Sequence, residues 1–240
     1  MIRITVAQLK VFESIWNDFG QGIRLPEKKN WRDLSNNDVW IRIMSQVVVV
    51  GSAKPAKRLW DKTIRSRVEW QRLRRMDETE AAETIWSALK EIGARYVGRA
   101  LDACPKTKAL LRNRDVLMKY PGGPQGFIKD VAELPGSSRQ KVEYVAQRLS
   151  YIKDKGSRDL LTTGFGLVRN HIAFDVRVLG SLRHIGLRFP PNVASRTSLY
   201  DEFERILIQQ VCRPLKISGA QLDQLLFLHY KDIKQMSFHN

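Results

Sequence analysis

Cysteine is scarce in this chain of 240 residues, which contains only Cys104 and Cys212. Two thiols cannot form the disulfide framework of a small secreted domain, nor can they supply the ligands of a four-cysteine iron–sulfur cluster. The four histidines also lack metal-ligand spacing, so we expect neither a metal site nor a cluster. The first residues lack the apolar core and the small-residue cleavage site of a signal peptide. We therefore expect an intracellular, cytoplasmic protein.

Long apolar runs and acidic residues are also in short supply. No stretch approaches the roughly 18 consecutive apolar residues of a transmembrane helix. The chain has 25 Asp and Glu against 41 Lys and Arg, a formal net charge of +16, which would attract a polyanion and release counterions from its phosphates. A membrane surface is the alternative partner, but no segment combines a strongly apolar helix face with a lysine-rich opposite face. We expect a nucleic-acid-binding, nucleoid-associated protein with no membrane partner.

Apolar residues recur mostly at intervals of three and four, which predicts helices throughout the chain. The segment from Trp40 to Val50 is nearly continuously apolar, so it fits either a buried helix or a buried strand. The preceding Asn36-Asn37-Asp38 supplies helix-cap residues and favours the helix. The sequence therefore predicts an all-α fold.

A glycine hairpin followed by a lysine lies between two stretches of helical periodicity. The segment Leu134–Lys141 reads Leu-Pro-Gly-Ser-Ser-Arg-Gln-Lys, and small residues there would let backbone N–H groups approach a DNA phosphate. Lys141 falls at the start of the following helix, where the dipole and burial would lower the pKa of its amine toward that of a nucleophile. The alternative is an exposed lysine after a surface loop. Four candidates for DNA contacts accompany it: Gly136, Ser137, Ser138 and Arg139.

A carboxylate opens a later helix. Asp175 precedes a helical apolar stripe that begins at Val178, so the free N–H groups of the helix would stabilise it as an anion. Such a carboxylate could accept a proton from the lysine and then stabilise positive charge developing on a deoxyribose. The alternative is a simple helix cap.

Together the two segments resemble the helix-hairpin-helix DNA glycosylase/AP lyases, which carry a Leu-Pro-Gly-type hairpin, a lysine and a later Val-Asp-Val-His-like segment. The 34 residues from Lys141 to Asp175 exceed the usual spacing, so an insertion at about 154–173 is implied. The sequence is most similar to the archaeal 8-oxoguanine DNA glycosylase (AGOG) family, which has such an insertion. Segments Phe189-Pro190-Pro191 and Gln221–Leu228 continue this similarity.

The resemblance implies one unit over residues 1–240, built from two helical lobes with the active site in the cleft between them and the hairpin motif at about 130–153. It also implies a monomer that flips a modified base out of double-stranded DNA. Lys141 would attack C1′ to form a Schiff base, and β-elimination could then nick the strand. By the same resemblance Asp223 would hydrogen-bond the flipped base. Phe227, a tryptophan in the family, and Trp60 would cover its two faces.

Several alternatives remain open. Lys155 lies closer to the usual distance from the aspartate but lacks a preceding hairpin. Gln46 would either enter the DNA minor groove or remain a buried amide, and carbonyls of the hairpin could hold a monovalent cation. The first-choice base is 8-oxoguanine, with another modified base, including a hypermodified phage cytosine in defence, as the alternative. A non-enzymatic DNA-binding module is the remaining possibility.

Overall fold

The structure, a computed structural model, describes residues 3–26 and 30–238. Within that part of the chain every regular element is helical, which confirms the prediction of an all-α fold. In chain order the α-helices are α1 (Val6–Phe19), α2 (Asn30–Asp33), α3 (Asn36–Val48), α4 (Lys54–Arg58), α5 (Lys62–Val68), α6 (Trp70–Leu73), α7 (Glu78–Glu91), α8 (Pro105–Met118), α9 (Pro124–Glu133), α10 (Ser138–Arg148), α11 (Asp154–Asp159), α12 (Val176–His184), α13 (Thr197–Leu207), α14 (Gly219–Leu228) and α15 (Tyr230–Gln235). A 3₁₀ helix covers Gly20–Gly22, and π-helical turns cover Leu160–Gly164 and Ile208–Cys212.

The chain divides into two compact helical units. The central unit is Lys28–Leu160, and the terminal unit combines Met1–Glu27 with Leu161–Asn240. The central unit contains α2 to α11, and the terminal unit contains α1 and α12 to α15. None of the described helices has both the length and the hydropathy needed to cross a bilayer.

Helix α3 forms the core of the central unit. The side chain of Ser35 accepts a hydrogen bond from the N–H of Asp38, and the Asp38 carboxylate bonds back to the Ser35 N–H, a capping box that starts the helix. Helix α3 contacts α6, α8 and α9, and this enclosure explains its nearly continuous apolar sequence. The indole Nε1 of the fully buried Trp40 donates to the Val68 carbonyl at 2.8 Å. The ambiguous segment is therefore a buried helix as far as Val48, and Val49 and Val50 form a turn after it.

The core of the terminal unit includes a helix for which the sequence analysis made no prediction. Helix α1 begins at a capping box between Thr5 and Gln8 and buries Phe12 and Ile15 completely. These side chains join a buried cluster with residues of α12, α13 and α14. The Thr-x-x-Gln spacing is a start signal that would have revealed this helix.

Candidate active site

The predicted glycine hairpin lies between α9 and α10 in the central unit. Gly136 has a φ of +116°, and a Cβ there would meet the side-chain oxygen of Gln140 at 2.0 Å. That oxygen accepts a hydrogen bond from the N–H of Ser137 at 2.6 Å, and Ser137 in turn caps α10. Both the backbone conformation and the reciprocal cap therefore require glycine at position 136.

Lys141 lies in the first turn of α10 and is half-buried. Its Nζ donates to the carbonyls of Val131 at 2.9 Å and Ala132 at 2.5 Å, both in the last turn of α9. Burial lowers the pKa of the amine, while the two carbonyls favour its protonated form and oppose this effect. The lysine is thus anchored across the hairpin and differs from the exposed side chain of the alternative interpretation.

The other residues predicted to contact DNA at the hairpin are in different environments. Gly136 and Ser137 are exposed, and Ser138 is half-buried. The Arg139 guanidinium is engaged within the central unit, where it bonds Glu143 at 2.8 Å and Asp154 at 3.2 Å. A phosphate would have to compete with both carboxylates for this side chain.

Gln46 is half-buried near the end of α3, and its Nε2 donates to the Asp159 carboxylate at 2.7 Å. This contact corresponds to the alternative of an amide held within the fold. Its predicted entry into the minor groove would require that bond to break. The alternative lysine, Lys155, is exposed in α11.

In the terminal unit, Asp175 occupies the N-cap of α12. Its Oδ1 accepts from the backbone N–H groups of Arg177 and Val178, each at 2.8 Å. The side chain is half-buried, and the two hydrogen bonds fix its position at the start of the helix. This is the helix-start position predicted from the sequence, and it fixes the carboxylate without removing it from solvent.

The segment that leads into Asp175 is held by buried side chains. The Ile172 N–H donates to Glu204 Oε1 at 2.8 Å, and the Ala173 N–H donates to Asp223 Oδ1 at 2.9 Å. The Tyr200 hydroxyl accepts from the Phe174 N–H at 3.0 Å and donates to the Ile172 carbonyl at 2.6 Å. Three successive N–H groups outside any helix thus have acceptors, which removes the penalty for burying them and fixes the path of the chain.

Glu204 and Tyr200 are residues that the sequence analysis missed. Glu204 is only 6% exposed, and its Oε2 lies 3.1 Å from Nδ1 of the equally buried His171. The available signal was a carboxylate on the apolar stripe of α13, beside Phe203 and one turn before Leu207. A charged residue on such a stripe indicates a buried partner.

Asp223 and Phe227, predicted to bind the base, share one face of α14. Asp223 is 5% exposed and holds the N–H of Ala173, two residues before Asp175. The half-buried Phe227 has the Arg177 guanidinium 4.9 Å from its ring centroid. The terminal unit therefore gathers three of the predicted site residues around the start of α12.

Trp60 belongs to the central unit, in the turn between α4 and α5, and is 43% exposed. Two guanidiniums approach its ring centroid, Arg42 at 5.7 Å and Arg65 at 5.4 Å. An exposed indole bracketed by cations suits contact with a base, but the ring is already engaged with protein cations.

Metal-binding chemistry has no support in residues 3–26 and 30–238, where no group of three or more His, Cys, Asp and Glu side chains is placed to hold an ion. Both cysteines are buried free thiols, and burial raises the pKa of Cys212 to about 12. The predicted monovalent cation at the hairpin stays a prediction.

No protein-family model and no curated protein matches this sequence. Solved structures do match the fold. The Methanocaldococcus jannaschii 8-oxoguanine glycosylase/lyase, in complex with a 15mer DNA containing 8-oxoguanine, superposes with a TM-score of 0.67 at 16% identity over 95% of this chain and 99% of its own. The 8-oxoguanine DNA glycosylase of Thermotoga maritima gives a TM-score of 0.64 at 20% identity over 91% of this chain and 93% of its own. The prediction of a glycosylase fold is thus confirmed.

Proposed function

We propose that this protein is a DNA glycosylase that flips a modified base out of duplex DNA and cleaves its N-glycosidic bond, with Lys141 as the nucleophile. The observation that carries this proposal is the anchored, half-buried Lys141 at the hairpin, whose pKa is lowered by burial. The fold shared with two 8-oxoguanine glycosylases supports the same chemistry.

In the proposed reaction the neutral amine of Lys141 attacks C1′ of the target nucleotide. The N–C1′ bond forms as the bond from C1′ to the base breaks, and the electron pair leaves with the base, which then takes up a proton. Asp175 stabilises the positive charge on the sugar and accepts a proton from the amine. Opening of the sugar ring gives the Schiff base, from which β-elimination cleaves the strand.

We propose 8-oxoguanine as the first substrate to test, because both named structural neighbours are 8-oxoguanine glycosylases. Another modified base is the second candidate, and one observation favours it. The resemblance implies that Phe227 replaces a tryptophan of the family, and the Arg177 guanidinium lies 4.9 Å from the Phe227 ring centroid. Compared with a tryptophan, a phenylalanine ring beside a guanidinium gives the base pocket a different shape and different hydrogen-bond donors.

Borohydride trapping tests the nucleophile. Duplex DNA containing 8-oxoguanine opposite cytosine is incubated with the protein and borohydride, which reduces a Schiff base to a stable adduct. We expect an adduct with the wild type and with Lys155→Gln, and none with Lys141→Gln. An adduct that persists in Lys141→Gln, with the protein folded, would reject this lysine. Tight DNA binding without an adduct or base release on any lesion would instead indicate a non-enzymatic module.

Asp175→Asn separates catalysis from helix capping. Asparagine caps a helix about as well as aspartate, so we expect the free energy of unfolding to change by less than about 0.5 kcal/mol. Base release should nevertheless fall steeply because the anionic charge is lost. Equal rates of base release by the variant and the wild type in single-turnover assays would show that Asp175 acts only as a helix cap.

The same assay identifies the substrate when it is applied to duplexes that contain oxidised, alkylated, deaminated and glucosylated bases.

A further inference from the structure

An open cavity of about 700 Å³ lies within the central unit, at the turn between α4 and α5. Lys57 and Arg58 of α4 and Trp60 of the turn line it, together with Glu91 of α7. Its volume is in the range of small-ligand sites. Because Trp60 is 43% exposed, the cavity presents an aromatic ring to solvent.

The charges at this cavity are unevenly matched. The carboxylate of Asp61 accepts hydrogen bonds from the backbone N–H groups of Thr63 at 2.9 Å and Ile64 at 3.4 Å. The Glu91 carboxylate forms an ion pair with Arg67. Lys57 and Arg58 are exposed and have no ion-pair partner among the residues that the structure describes. The acids are thus occupied while the cations remain available to an anion.

Further positive charge lies against the Trp60 ring. Arg42 and Arg65 both approach it, and the Asp38 carboxylate bonds Arg65 at 2.5 Å. Arg42 has a buried Nε without a hydrogen-bond partner in the described structure. The Asp38 carboxylate also attracts the Arg42 guanidinium, so one acid faces two guanidiniums, an excess of positive charge that an anionic ligand would relieve.

The lining of this cavity differs from the surroundings expected for the target nucleotide. A base is bonded directly to its C1′, so a base whose C1′ is attacked by Lys141 must lie beside that lysine. The cavity is lined from α4, α5, their turn and α7, with no contribution from the hairpin or from α10, which carries Lys141. The lining therefore favours a different group as the ligand.

We propose that the Trp60 cavity binds an unstacked nucleotide other than the target, with its base on the indole and its phosphate at Lys57 and Arg58. Stacking on an aromatic side chain tolerates any base, and lysine and arginine are the usual phosphate contacts. This proposal rests on the proposed DNA glycosylase function, because DNA bound for that reaction would supply the unstacked nucleotide. That source is either an unpaired nucleotide of the bound DNA or a free nucleotide.

The test places 2-aminopurine, whose fluorescence is quenched when it stacks on indole, at defined positions of an 8-oxoguanine duplex. The probe lies opposite the 8-oxoguanine or beside it, or replaces it in a third duplex, and all measurements use the Lys141→Gln background to prevent cleavage. We expect Trp60→Ala to raise the emission of a probe opposite or beside the target. A response confined to the target position would overturn the proposal and place Trp60 on the flipped base.

Affinity provides the second measurement. Trp60→Ala should weaken binding to a duplex with one unpaired nucleotide by about 5- to 150-fold, the equivalent of one stacked base. Lys57→Gln should lower the slope of log K against log salt by about 1, as loss of a phosphate contact does. Tyr96→Ala and Lys54→Gln are controls, an exposed aromatic and an exposed lysine that do not line the cavity.

Calorimetric titration with adenosine monophosphate distinguishes the two sources. Binding that Trp60→Ala abolishes supports a free nucleotide, whereas no binding together with the probe response supports a nucleotide of the DNA. The proposal is overturned if Trp60→Ala changes neither the probe emission nor the affinity for DNA and the wild type does not bind adenosine monophosphate. These are binding measurements, so they remain informative if trapping shows that Lys141 is not a nucleophile.

Discussion

Replacement of Lys106 by methionine should change how the stability of this protein depends on pH. Lys106 of α8 is fully buried, and its Nζ donates to the carbonyls of Val48 at 2.9 Å and Val50 at 2.8 Å. Burial lowers the pKa of the amine to about 8 from an ordinary 10.5. The lysine therefore joins the C-terminal end of α3 to α8 as a cation with little access to water.

The size of the effect follows from this pKa. Between pH 8 and 10.5 the unfolded chain retains the Lys106 proton while the folded protein releases it, so this group raises the free energy of unfolding as the pH increases. At about 1.36 kcal/mol per pH unit, the interval from about 8 to 10.5 gives about 3.4 kcal/mol. The carbonyl bonds favour the charged amine, so this value is an upper bound.

Urea unfolding between pH 7 and 11 provides the measurement, with the wild type compared with Lys106→Met at each pH. Cys212, whose pKa is raised to about 12 by burial, acts in the opposite direction but is present in both proteins and cancels in the difference. We expect the wild type to gain about 2–3 kcal/mol relative to the variant over this range. A difference that does not vary with pH would refute the reasoning and show that the carbonyls hold Lys106 protonated.

Three further predictions concern the two site segments. Gly136→Ala should lower the free energy of unfolding by about 1–3 kcal/mol because φ is +116° and the new Cβ meets Gln140; a loss below about 0.5 kcal/mol in urea would contradict this. Tyr200→Phe should lower the free energy of unfolding by about 1–3 kcal/mol in the same assay, since the Phe174 N–H loses its acceptor. Tyr151→Phe is the control, because the Tyr151 hydroxyl has no hydrogen-bond partner among the residues that the structure describes. Arg139→Gln should leave the salt slope of DNA binding unchanged, because Glu143 and Asp154 already hold the guanidinium; a slope reduced by about 1 would show a phosphate contact.

The helices and the positions of Lys141 and Asp175 could be predicted because they depend on local rules. Asp175 precedes an apolar stripe, and Lys141 follows a glycine and a serine that form a hairpin and an N-cap. Both expectations involve residues within about four positions along the chain. The sequence does not predict the breaks that divide residues 54–73 into three short helices, α4, α5 and α6, because tertiary contacts there compete with weak propensities.

The sequence alone therefore determined the all-α class, the net positive charge of +16 and the placement of a lysine and an aspartate at helix starts. Only the tertiary structure decided what those groups contact. The Lys141 amine donates to two carbonyls of α9, and the Arg139 guanidinium forms ion pairs with two acids. Asp223 accepts a hydrogen bond from the N–H of Ala173, which lies 50 residues earlier in the chain. The reason is physical: a helix start satisfies its donors from the next turn, whereas a buried N–H outside a helix needs an acceptor that distant parts of the chain supply.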